Sequence, residues 1–242
     1  MRLLTGLLLA AICLAQAPTS NPALKIPPVK ASINLDQQLV EITLWGTVSP
    51  APSGTFAAAL TVDLGSFQEH LTPILAAHLN RSDRCGDRLS VERAVIAPTA
   101  PSGLLTANVN FERYVCVKAF GKEIAKRLVG GKGLIEVNLT PSVAENEIEI
   151  AAEVRKIDAD GSLGEVLHSG SFGDSIRQKI ADSVESSIQK AANLKSTLPA
   201  ALGKAVSMDS VQFADGGSGR LWLTITGEVQ LSSEELRRAM AK

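Results

Sequence analysis

Apolar and polar positions alternate with period two along most of the chain. Ile33 and Leu35, then Val40, Ile42 and Leu44, lie on either side of Asp36-Gln37-Gln38 and predict a hairpin within 32–48. A turn at Pro50, Pro52, Ser53 and Gly54 leads to Phe56, Ala58, Leu60 and Val62, a third strand. Strand patterning returns from Leu89 to Val117, broken by a turn over Pro98 to Gly103. Residues 119–128 fit either a short helix or a polar strand edge. Further strands are expected over 134–139 and 148–154, separated by the turn signal Pro141-Ser142, and over 206–213 and 221–229.

Two stretches carry helical spacing instead. Ser66 and Glu69 have the spacing of a capping box, and Phe67, Leu71, Ile74, Leu75 and His78 follow on one face. Pro73 either kinks that helix or starts it, with Thr72 as the cap. Ser171 and Asp174 open a second helix, in which Phe172, Ile176, Ile180, Val184 and Ile188 recur at i, i+4. Arg177, Lys179, Asp182, Glu185 and Lys190 cover its other side. The expected fold class is α+β: a curved antiparallel sheet packed on a long amphipathic helix, 171–194, and a shorter one.

The N-terminus changes the picture of where this fold is assembled. Arg2 precedes a short apolar run from Leu3 to Leu14, and Ala15-Gln16-Ala17 follows. The run is too short for a bilayer span, which needs about 20 residues, and has the layout of a secretory signal. The predicted organisation is a signal peptide over 1–17, a Pro-rich linker over 18–30, one domain over 31–231 and a charged tail over 232–242. Secretion or a periplasmic location follows, with no membrane span in the mature chain. Cys13 leaves with the signal, so Cys85 and Cys116 are left to pair in an oxidising compartment.

Composition narrows the partners. The net charge is −1 and no basic cluster stands out, which argues against nucleic acid. Aromatic residues make up only 4% of the chain, so the core is aliphatic and stacking platforms for sugars or bases are scarce. The three histidines, His70, His78 and His168, lack metal-ligand spacing, and His78 reads as a packing residue. Ser169-Gly170-Ser171-Phe172-Gly173 lacks the glycine a nucleophile elbow requires. Glu145, Glu147, Glu149 and Glu153 read as the solvated face of a strand rather than an acid/base pair. No enzyme, metal or cofactor is expected.

The helix from Ser171 to Leu194, its end before Leu198-Pro199 and the hairpin from Val206 to Val229, after several long antiparallel strands, resemble the tubular lipid-binding superfamily of bactericidal/permeability-increasing-like proteins. The resemblance is one of element order over 55–230. It implies a helix and a curved sheet around an apolar tunnel. The expected function is therefore non-enzymatic binding of a lipid or other apolar ligand, with Phe67, Leu71, Leu75, Phe172, Ile176, Ile180, Val184 and Ile188 as lining residues. The alternative is a structural or protein-interaction module of the cell envelope, with a filled core and an exposed edge strand.

Overall fold

A computed structural model of the chain describes residues 23–51, 55–80, 85–119, 122–159 and 206–229, and separate positions between Gly164 and Gln189. The expected signal peptide and charged tail lie outside the described residues. The elements are β1 (Leu24–Leu35), β2 (Gln38–Pro50), β3 (Phe56–Asp63), α1 (Gly65–Leu79), β4 (Gly86–Thr99), β5 (Ser102–Ala119), β6 (Lys122–Ala144), β7 (Glu147–Ala159), β8 (Val206–Asp215) and β9 (Leu221–Val229). They form two antiparallel sheets, one ordered β1-β2-β3-β9-β8 and one ordered β4-β5-β6-β7.

This corrects the expected α+β class. Of the described residues 73% are in strands and 16% are helical, and no long amphipathic helix is among them. Within 171–194 the described positions, Asp174 and several from Arg177 to Gln189, are helical, while Phe172, Ile176 and Ile188 lie outside the described residues. The physical reason is the reach of the period-two pattern. It continues through segments that local propensity leaves open, and each new strand satisfies the backbone of its neighbour. Residues 122–128 are strand because they complete the ladder of β5, with Val117 opposite Ile124 and Cys116 opposite Ala125. The Pro-rich stretch is likewise strand from Leu24 onward, and the register with β2 shifts between Ile26 and Val29, across Pro27 and Pro28.

The turn expected at Pro141-Ser142 falls elsewhere. β6 runs through both residues to Ala144, and the chain reverses at Glu145 and Asn146, whose φ values are 50° and 62°. Asn tolerates this left-handed region better than most residues. Register shifts between β4 and β5, β5 and β6, and β6 and β7 each insert an extra residue, which bends and twists a sheet.

α1 departs from its expected start. Its N-cap is Leu64, with no side-chain cap bond, and Pro73 sits inside a continuous helix. The Ser66 hydroxyl instead accepts a hydrogen bond from the Glu41 N–H at 3.1 Å. Asp63 takes the capping role: Oδ1 accepts from the Gly65 N–H at 2.9 Å. The same carboxylate holds Arg220 in a two-pronged bond, Nε to Oδ1 at 2.8 Å and Nη2 to Oδ2 at 2.7 Å. That bond raises the Arg220 guanidinium above its already high ordinary value. α1 thereby lies between the sheets, packed on β2 and β9 of one and β4 of the other.

Candidate functional site

The inward apolar positions of the two sheets and of α1 build one buried cluster. Val40, Ile42 and Val62 come from the five-stranded sheet; Leu105, Val137 and Leu139 come from the four-stranded sheet. Of the residues expected to line a ligand site, Phe67, Leu71 and Leu75 lie in this cluster, with Leu71 and Leu75 showing no exposed surface. Ile180 and Val184 are buried in the same cluster. The fold thus brings together five of the eight expected residues.

Polar side chains hold α1 and the edges of this interior in place. The Thr72 hydroxyl donates to the Ala94 carbonyl at 3.2 Å and accepts from the Ala94 N–H at 2.9 Å, beside the β4 bulge. Asn80 Oδ1 accepts from the Val91 N–H at 2.8 Å. The Gln189 amide imitates a strand along β7: Oε1 accepts from the Ile150 N–H at 2.9 Å, and Nε2 donates to the Ile148 carbonyl. An edge that would otherwise present unpaired backbone is covered in this way.

The interior face does not stop where the core stops. Leu105, Ala107, Val109 and Phe111 are buried on the inward side of β5. The same side continues through half-buried Arg113 and Val115 to Val117, which is 51% exposed. Across the ladder, Ile124 stands opposite Val117 and is 53% exposed. The extra residue in the register shift between β5 and β6 is Leu128, 57% exposed. Sequence reasoning did not nominate Ile124 or Leu128, because 119–128 was left between helix and strand. The alternation of Val115 and Val117, repeated across the turn by Ile124, was the available signal. The disulfide between Cys85 and Cys116, expected from sequence, anchors this end to the start of β4, with Cα atoms 5.6 Å apart.

Polar candidates have structural partners. His78 Nε2 and Asp36 Oδ2 are 2.5 Å apart, tying the end of α1 to the β1–β2 turn. His70 Nδ1 meets the Ser66 carbonyl one turn back at 2.8 Å. His168 lies outside the described residues. Glu147, Glu149 and Glu153 are exposed along β7. A shallow cleft of about 270 Å³ gathers Glu92, Asn108, Lys132 and Asp158. Its groups are engaged in surface ion pairs, Lys132 with Glu92 at 2.8 Å and Lys156 with Asp158 at 3.0 Å. The second pair raises the Lys156 ammonium above its ordinary value, chiefly through the hydrogen bond. Among the described residues no group of three or more His, Cys, Asp or Glu side chains is placed to hold a metal ion. Nor is any described helix long and apolar enough to cross a membrane. No protein-family model matches the chain, and no curated protein matches it.

Proposed function

We propose that this is an exported, non-enzymatic protein that binds a lipid or similar apolar ligand along the interior face shared by its sheets and helical segments. One observation carries the reading. A largely apolar inner face runs from the buried core at Leu105 through Val109, Phe111 and half-buried Val115 to the exposed pair Val117 and Ile124, with Arg113 as the cation along it. An acyl chain is the natural complement of the apolar side chains along this face. Export draws on the signal-like N-terminus and on the Cys85–Cys116 bond, since disulfides persist in oxidising compartments.

Mass spectrometry of an organic extract of the purified protein is expected to recover a bound lipid, and the emptied protein is expected to take up a fluorescent fatty acid. An empty extract without uptake overturns the proposal. The second reading, an interaction module of the cell envelope, draws on the complete burial of Leu71, Ile74 and Leu75, which makes the α1 side of the interior solid. It predicts the empty extract together with a co-purifying protein.

A further inference from the structure

Among the described residues, β5 and β6 outrun the strands beside them. β4 begins at Gly86, opposite Tyr114, and the described pairs of β7 end at Ala159, opposite Gly133. Beyond those points, residues 115–119 and 122–126 pair, among the described strands, only with each other. A two-stranded ribbon is marginal in water by itself. Here the Cys85–Cys116 bond secures its base to β4.

The ribbon carries an unusual surface for this chain. Val117, Ile124 and Leu128 are three of the seven large apolar side chains that are well exposed among the described residues. Lys126 stands opposite Val115 in the ladder, and both Lys126 and Lys118 are exposed. Residues 112–128 contain five cations, Arg113, Lys118, Lys122, Lys126 and Arg127, against Glu112 and Glu123. That is a net charge of +3 in a chain whose total is −1. Apolar side chains flanked by lysines are the composition that settles into the boundary between headgroups and acyl chains. Basic residues near an anionic leaflet add attraction that salt screens.

We propose that the β5–β6 ribbon docks on an anionic phospholipid surface, with Val117, Ile124 and Leu128 entering the interface, Lys126 on the face of Val117 and Ile124 meeting lipid phosphates, and Lys118, opposite Glu123 on the other face, adding to the attraction. The charge imbalance selects this occupant: a lipid surface of one sign complements a ribbon of the other. The proposal does not need a ligand in the interior, and an empty lipid extract leaves it standing.

Co-sedimentation of the full chain with vesicles tests it. The unmodified protein is expected to bind phosphatidylglycerol-containing vesicles at least about tenfold more tightly than pure phosphatidylcholine vesicles, and to lose that margin at about 0.5 M salt. The double variant Lys118→Glu with Lys126→Glu is expected to weaken binding about tenfold or more. The triple variant Val117→Ser, Ile124→Ser and Leu128→Ser is expected to release the protein from the same vesicles. These side chains are exposed, and circular dichroism checks that each variant folds; the lipid and salt comparisons need no variant. Equal binding to both vesicle types, no binding to either, or unchanged binding by the charge-reversed variant overturns the proposal. So does a concentration-dependent dimer in sedimentation velocity that Leu128→Ser disperses, because the ribbon would then belong to a second copy.

Discussion

Three hydrogen bonds radiate from the side-chain amide of Gln68. Nε2 donates to the carbonyls of Ile96 and Gly219, each at 2.9 Å, and Oε1 accepts from the Leu221 N–H at 2.8 Å. One residue of α1 thus joins β4 of one sheet to the β8–β9 turn of the other. Replacing Gln68 by Leu keeps much of the volume but leaves three backbone groups without this partner, two of them in half-buried bonds, and an unsatisfied group costs up to about 1–3 kcal/mol. Gln68→Leu is expected to lower stability by about that amount in a denaturant titration; an unchanged midpoint would show that water replaces the amide. Nothing in the sequence marks Gln68, because its partners lie up to 153 positions away. The apolar neighbours were easier to read: Phe67, Leu71 and Leu75 fall on one helical face and are buried. That face shows which residues turn inward, but not whether a ligand or another side chain meets them.

At the scale of the element, the β5–β6 ribbon shows where local reading ran out. Val115, Val117 and Ile124 follow strand periodicity, yet Gly121 and the mixed run from Lys122 to Leu128 fit more than one backbone. The partner strand decides, since unpaired β5 donors and acceptors are satisfied by β6. The disulfide was legible because Cys85 and Cys116 are the only cysteines outside the signal-like segment. Removing it with Cys85→Ser and Cys116→Ser is expected to cost about 2–5 kcal/mol. Hydrogen exchange is expected to quicken across 115–126 more than across 134–143, where β6 lies between two strands. Equal protection in both segments would mean that the ribbon holds without its tether.

For the molecule as a whole, α1 and β8 are the links between the sheets. β8 belongs to the five-stranded sheet but packs against β4, β5 and β6. The Phe213 N–H donates to the Pro101 carbonyl at 2.9 Å, and its buried ring lies over Gly103, where an added Cβ would come within 3.3 Å. Phe213→Ala is expected to destabilise by about 3–5 kcal/mol, the usual range for a buried phenylalanine. One shared core further predicts that both sheets unfold in a single transition, so the two tryptophans, stacked edge to face on the five-stranded sheet at 5.1 Å, should report the same midpoint as far-ultraviolet dichroism. Separate midpoints would show two independent units.

Strand periodicity, the cysteine pair and the inward face of α1 are properties of neighbouring residues or of composition, and the sequence by itself determined them. The turns at Asp36-Gln37 and over Asp215–Gly219 followed too, whereas Gly130, Gly131 and Gly133, whose spacing reads as a turn, lie inside β6. Tertiary structure alone decided that a protein with two helical patterns is mostly sheet, that Pro141 continues a strand, and that Gln68 and Gln189 complete backbone ladders of distant elements. It also decided which apolar residues remain open to solvent. Val109 and Val117 belong to the same face of the same strand, yet one is 5% exposed and the other 51%. Burial depends on what packs across from a side chain, and no local pattern encodes that.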